Sequence, residues 1–227
     1  MKELNYQIVR SPKRKTLTIT VERDRTVIVH VPEGTPEDDV HRVVDEKRQW
    51  ILEKLRHPQK YKARIPPGKE VVNGESAPYL GRDYRIEITD TQTGDVEFSR
   101  HFLVPPAHQK KRREVLKDWY IGQAKEKILV RAKQHAQELG VRFRSARIVD
   151  NRYRWGSCTA GDNVNFNWRL IKAPMFVIDY VIVHELAHLI EPNHTADFWS
   201  IVRARTPTME KAKAWLKEHG QMLEEEV

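Results

Sequence analysis

Cysteine is almost absent from this chain: Cys158 is the only one, so no internal disulfide can staple the fold, and the composition suits a reducing compartment. Long apolar runs are missing too. The most apolar stretch, residues 174–190, is interrupted by Asp179, His184 and Glu185, which excludes a transmembrane helix. The opening residues MKELNYQIVRSPKRK hold no apolar segment of signal-peptide type. Internal repeats and low-complexity tracts are lacking. A cytoplasmic protein with no membrane partner is the expectation from these absences.

What the chain does have is enough to fold. Six Trp, seven Tyr and six Phe among 227 residues supply apolar surface for a core despite a charged fraction of 32%, so disorder is excluded for the chain as a whole. Lys and Arg outnumber Asp and Glu by 40 to 32, a formal charge of +8. Such a surface attracts polyanions at long range and makes nucleic acid or a nucleotide a candidate partner; a dispersed excess that only favours solubility is the plainer reading.

Along the chain, Leu17, Ile19 and Val21 alternate, then Val27, Val29 and Val31 after a polar turn, which predicts a β-hairpin. Thr35-Pro36-Glu37-Asp38 reads as a helix start with Thr35 as N-cap. The helix that follows places Val40, Val43, Val44, Lys47, Trp50, Ile51 and Leu55 on one stripe. Residues 57–70 carry three prolines and read as a connector. Tyr84, Ile86 and Ile88 alternate, Thr93-Gly94 makes a turn, and Val96, Phe98, Phe102 and Val104 continue as strand. Pro105-Pro106 is the strongest punctuation, dividing a β-rich region 1–105 with one helix from a second part, 106–227. That part opens with a long amphipathic helix over 107–139, bearing Val115, Leu116, Trp119, Ile128, Ala132 and Leu139, closed by Gly140. Its first turn, Lys110-Lys111-Arg112-Arg113, could touch phosphates or be a solvated helix end. Short strands are predicted at 148–149 and 163–170.

Residues 174–190 read as a buried helix, apolar almost all round, yet they contain His184, Glu185 and His188. Imidazoles at i and i+4 share a face and can converge on one ion. Glu185, about 100° round the helix from His184, can reach a water without being a ligand. A catalytic zinc needs three protein ligands and an open position. His194 is the third candidate, because Pro192 ends the helix and turns the chain back; Glu191 is a weaker competitor. A lone core histidine is ordinarily a hydrogen-bonded packing residue, but burying this many polar groups without compensation would cost on the order of 2 kcal/mol or more for each. One zinc per chain is therefore expected, activating water, with Glu185 as general base.

Taken together, Arg154-Trp155-Gly156-Ser157-Cys158, Asn167-Trp168-Arg169-Leu170 with Pro174, Asp179-Tyr180 before His184-Glu185-Leu186-Ala187-His188, and Asn193-His194 before Phe198-Trp199 resemble the YgjP-like metal-dependent hydrolases, relatives of the SprT-like and WLM zinc peptidases. The resemblance covers roughly residues 145–216 and is looser before that. It implies an α+β fold in which the β-rich N-terminal part precedes a zincin-like catalytic domain whose active-site helix carries the HExxH motif. It also implies that the strand holding Asn165 to Trp168 flanks the cleft and could pair with an extended peptide.

Arg154, Tyr153, Asn165 and Arg169 are candidate substrate or oxyanion contacts. Asp179 is a candidate partner for a ligating imidazole or equally a helix-surface residue, Cys158 a candidate inhibitory thiol or simply a small packed residue. Phe198, Trp199, Met209, Trp215 and Leu216 read as core behind the site. Three functions follow: a zinc metallopeptidase; a nucleoside triphosphate pyrophosphatase acting on UTP, an assignment carried by some members of the family; and a nucleic-acid-binding module with structural zinc. The second would more naturally want several carboxylates with magnesium or manganese, the third a fourth protein ligand.

Overall fold

The computed structural model describes residues 4–22, 25–56, 70–91, 94–151 and 154–224. The chain separates into two compact units, Met1–Pro66 and Pro67–Val227, rather than dividing after Pro105. The reason is packing: Val71, Ala77, Ile86, Phe102 and Val104 share one core with Leu116, Tyr120 and the rest of the second unit. The Tyr120 hydroxyl donates to the Pro78 carbonyl at 2.8 Å. Pro105-Pro106 turns the chain from strand to helix without separating two cores. Most of the 57–70 connector lies outside the described residues.

In the first unit, β2 (Thr18–Val21) and β3 (Val27–Pro32) form the expected antiparallel hairpin, with Ile19 opposite Val29. A strand without a clear sequence signal, β1 (Gln7–Ser11), pairs parallel to β3. Val27, Val29 and Val31 point into a core completed by Val40 and Val44 of α1 (Glu37–Glu46) and Ile51 of α2 (Arg48–Arg56). Burying each such side chain contributes about 1.5–3 kcal/mol. The single helix expected here is two, broken at Lys47; Val40, Val44 and Ile51 are buried, whereas Trp50, expected on the same stripe, is 40% exposed. Thr35 does not cap α1. Its hydroxyl donates to the Pro32 carbonyl at 2.9 Å and Pro36 takes the N-cap position, while Glu37, Asp38 and Asp39 face the positive end of the helix dipole.

The second unit begins with a four-stranded sheet, β4 (Ser76–Tyr79), β5 (Arg82–Ile88), β6 (Glu97–Phe98) and β7 (Phe102–Val104), in the order β4-β5-β7-β6. Against it lies α3 (Gln109–Leu139), buried at Leu116, Tyr120, Ala124, Ile128, Ala132 and Ala136. That four-residue step is one helix face. Gly140 ends α3 in the left-handed region, φ 69°, as a C-cap glycine should. Its start is less conventional: the first turn holds cations and no acid, an arrangement that opposes the dipole by about 0.3–1 kcal/mol per charge.

A second sheet, β8 (Ser145–Val149), β9 (Gly156–Cys158) and β10 (Asn163–Asn167), is ordered β8-β10-β9. The 3₁₀ turn Trp168–Lys172 leads into α4 (Met175–Ala187), followed by α5 (Ala196–Arg205) and α6 (Met209–Glu224). The architecture is thus α+β. At Gly81 (φ +80°) an added Cβ would lie 2.5 Å from Pro174 Cγ, so this close approach, with Gly81 N–H donating to the Lys172 carbonyl at 2.9 Å, pins the start of α4. Among the described residues no helix is long and apolar enough to cross a membrane.

Candidate metal centre

Helix α4 is buried along most of its length, at Val177, Ile178, Tyr180 to Val183 and Glu185 to Ala187, so whatever its last turn presents is held rigidly. His188 closes the helix as C-cap with φ −65° and ψ −16°. Its Nδ1 lies 3.3 Å from the Glu191 carbonyl. A carbonyl can only accept, so this contact puts the proton on Nδ1 and leaves the Nε2 lone pair for a ligand. Beyond it the Glu191 carboxylate accepts from the Asn193 N–H at 3.1 Å, and Thr195 caps α5 by accepting from the Phe198 N–H at 3.3 Å. The turn so fixed carries His194 back over α4.

His194 Nε2 stands 3.1 Å from His184 Nε2, and one nitrogen from each of His184, His188 and His194 falls within 4.8 Å of the others. Two nitrogens bound tetrahedrally to one zinc would be roughly 3.3 Å apart, so the trio fits a zinc ion with small adjustment. Its electrostatics agree. Burial, then the neighbouring His194 and His188 and the Lys213 charge, push the His184 pKa down to about 3; burial and His188 lower that of His194. Neutral imidazole is the form that binds a metal. Among the described residues no carboxylate or thiol joins the cluster, which offers three donor atoms. Phe198 backs all three rings, at centroid distances of 5.0, 4.6 and 4.6 Å, and Trp199 stacks on His194 at 5.5 Å. Phe198, Met209 and Leu216 are buried, and Trp199 and Trp215 partly buried, in the core behind the cluster.

Glu185, 7% exposed, is the polar group in the same turn of α4. Burial pushes its carboxyl up to about 8, against the opposing pull of the Arg154 charge and a hydrogen bond from the Cys158 backbone N–H. It fits there because residue 156 is glycine. A Cβ at Gly156 would lie 2.5 Å from Glu185 Cγ and 2.7 Å from its Oε1. Sequence reasoning passed over Gly156; its signal was a glycine inside a short strand, which often marks close approach of another group.

The other expected site residues scatter. Arg154 is exposed and acts on Glu185 through its charge. Tyr153 lies outside the described residues. Asn165 sits on β10, which pairs with β8 on one side and β9 on the other, and its side-chain amide donates to Ser157 Oγ at 3.2 Å. The strand expected to receive a peptide therefore has no free edge. The sheet edge nearest α4 is β9 instead. Arg169 is 4% exposed and bonds Asp150 through Nη1 at 2.5 Å. Asp179 does not orient a ligating imidazole: it accepts from Arg131 Nε at 2.5 Å and Nη2 at 2.6 Å and lies 3.2 Å from His135 Nε2, tying α4 to α3. Neither the imidazole partner nor the surface role that the spacing left open describes it, because α3 covers this face of α4. Cys158 is half-buried, its thiol pushed up by burial and by the Glu185 and Asp162 charges.

A sequence profile for the YgjP-like family, metallopeptidase domain, matches residues 15–219. No curated protein matches the chain. Among solved structures, the metallopeptidase zymogen of abylysin from Pyrococcus abyssi is similar at 19% identity, covering 44% of this chain and 98% of that one, with a TM-score of 0.38. The profile spans both compact units and includes every member of the histidine cluster, and on that match the chain belongs to the YgjP-like metallopeptidase-domain family.

Proposed function

We propose that the chain is a zinc-dependent peptidase in which His184, His188 and His194 hold one zinc ion per chain and Glu185 is the general base, within a zincin-like catalytic domain. The observation that carries this reading is the convergence of three imidazole nitrogens within 4.8 Å one residue away from a buried carboxyl. Zinc, when bound, supplies Lewis acidity toward a water and toward the substrate's carbonyl oxygen. Glu185 accepts the proton that the attacking water gives up and returns it to the departing amide nitrogen. A carboxyl whose pKa burial raises to about 8 holds a proton well enough to deliver it near neutral pH, and a dication close by would draw it back toward the ionised form needed at the start. Gly156 keeps room for that carboxylate. Arg154 is the cation best placed to balance charge beside it.

An extended polypeptide laid along the β9 edge would use backbone pairing with little sequence preference. The pyrophosphatase reading has less support: among the described residues no carboxylate joins the histidine cluster, and phosphate chemistry with magnesium or manganese wants several. Structural zinc leaves the fourth position and Glu185 without a purpose. A cytoplasmic location remains part of the proposal, resting on the single free cysteine. The deciding experiment incubates the zinc-loaded protein separately with unfolded polypeptides and with the four ribonucleoside triphosphates, using Glu185→Gln as the blank. Cleavage of polypeptide alone is expected; pyrophosphate release without peptide cleavage would replace the peptidase reading by its rival.

A further inference from the structure

A cavity of about 520 Å³ opens where the start of α3 meets the 3₁₀ turn, and none of His184, Glu185, His188 or His194 lines it. Its walls include Lys110, Arg113, Lys117, Trp168 and Arg169, with Glu114 the acid among them. Glu114 is already engaged by Lys111 at 3.8 Å. Beneath the walls, Asp150 accepts from Lys117 at 2.7 Å and Arg169 at 2.5 Å. Burial alone would raise the Asp150 carboxyl, but these two bonds and charges outweigh it and hold the group well below the usual range.

One carboxylate thus serves two cations, and the cations are crowded. The Arg169 guanidinium lies 4.5 Å, Lys172 Nζ 5.2 Å and Lys117 Nζ 5.8 Å from the Trp168 ring centroid. Arg169 and Trp168 are 4% and 1% exposed, and Arg169 Nε and Trp168 Nε1 have no hydrogen-bond partner among the described residues. Buried donors are normally satisfied. Gln109 adds another unsatisfied donor, Nε2, at the same wall. The first turn of α3 contributes its own positive pole, with His108 offering no side-chain cap and no acid in the turn.

We propose that this cavity is an anion site for phosphoryl groups, presented either as a short polyphosphate or along a nucleic-acid backbone, and that it works independently of the histidine cluster. The arrangement gives a reason for a helix that begins with four cations against its dipole and for a cavity lined by Lys110, Arg113, Lys117 and Arg169 with one acid among them. A phosphoryl group, doubly or singly charged and rich in acceptor oxygens, would accept from those lining cations and from the open N–H groups of the helix's first turn. Cation-to-phosphate contacts also make a definite demand, since binding must weaken as salt rises.

The test is calorimetric titration of the full chain with sodium tripolyphosphate and with a twelve-nucleotide single-stranded oligothymidylate, each at 50 and 300 mM salt. Lys110→Ala/Arg113→Ala changes only the rim, and Lys117→Gln supplies a second, milder variant should the first misfold. The expected result is saturable binding that falls at least tenfold at the higher salt and at least tenfold in each variant, with zinc content and peptide turnover unchanged. Binding of tripolyphosphate alone identifies a small polyphosphate ligand. Tighter binding of the oligonucleotide, displaced by tripolyphosphate, identifies a backbone. Absence of both at 50 mM salt, or binding that both variants leave intact, would overturn the proposal.

Discussion

The two compact units are built on different principles. In Met1–Pro66 the described core is aliphatic, Val21, Val27, Val29, Val31, Val40, Val44 and Ile51, and no polar or charged residue described there is buried. In Pro67–Val227 the core surrounds Asn167, Arg169, Lys172, Glu185, Thr206 and Glu224, all buried. Burying such groups costs free energy unless each finds a partner, and most do. Asn167 donates to the Arg154 carbonyl at 3.1 Å and to that of Asn151, Arg169 pairs with Asp150, and Thr206 donates to the Val202 carbonyl at 2.6 Å. Where the partner is weak, as at Glu185 and at Arg169 Nε, the structure departs from what stability alone would select. Those departures are where the chemistry is assigned.

This contrast can be broken experimentally. The largest effect belongs to the proposed ligands: His184→Ala/His188→Ala should abolish zinc retention, and His194→Ala should lower zinc affinity by orders of magnitude while Glu191→Ala leaves it nearly unchanged. Metal analysis after dialysis reads both; an inverted ranking of His194 and Glu191 would redraw the site as two histidines and a carboxylate. Next comes Gly156→Ala, whose methyl would overlap the Glu185 side chain. It should cut peptide turnover by a hundredfold or more and leave zinc bound, and turnover within a few-fold of wild type would mean that Glu185 need not sit where it does.

Smaller effects separate stability from function. Asp179→Ala removes the partner of Arg131 and His135 and should destabilise the second unit by about 1–3 kcal/mol, with zinc content intact. Loss of zinc in a folded Asp179→Ala protein would restore Asp179 to the site. Smallest for the site, though similar in stability cost, is Val29→Ala in the first unit, expected to cost about 1–3 kcal/mol of that unit's stability without altering zinc binding or turnover. Denaturant unfolding combined with metal analysis distinguishes these outcomes.

Much of the site was legible because it rests on local rules. The i, i+4 spacing of His184 and His188 needs only helix geometry, and Pro192 announces the turn that returns His194. What escaped depends on contacts between distant segments. β9 is Gly-Ser-Cys, with no apolar alternation to reveal it, and its glycine is explained only by Glu185 packing on it. The break at Lys47 has neither Pro nor Gly to mark it. Pro105-Pro106 outweighed the 57–70 connector as punctuation, although a domain boundary is set by which side chains share a core, and the β4–β7 sheet shares one with α3. Asp179 was left between an imidazole partner and a surface residue, and its pairing with Arg131 and His135 could not be read, because helix spacing shows which residues share a face but not which neighbour covers that face. The hairpin, the long α3 and its Gly140 cap followed from periodicity and capping chemistry directly.

The central claim is that Glu185 moves the proton, and one measurement reaches it most directly: peptide turnover by zinc-replete Glu185→Gln against wild type, with zinc content and melting temperature recorded on the same samples. Gln keeps the shape of the side chain and cannot take up a proton from water, so zinc should stay bound and the fold intact while turnover falls by about 10²–10⁴-fold. In zinc-stripped protein the same substitution carries a sign. A carboxyl raised by burial from its ordinary value to about 8 stays protonated in the fold while the unfolded chain ionises, so wild-type stability declines between pH 4.5 and 8. Glu185→Gln should therefore melt higher than wild type at pH 8 and no higher at pH 4. Near-normal turnover in the zinc-replete variant would contradict the mechanism, whatever the three histidines bind.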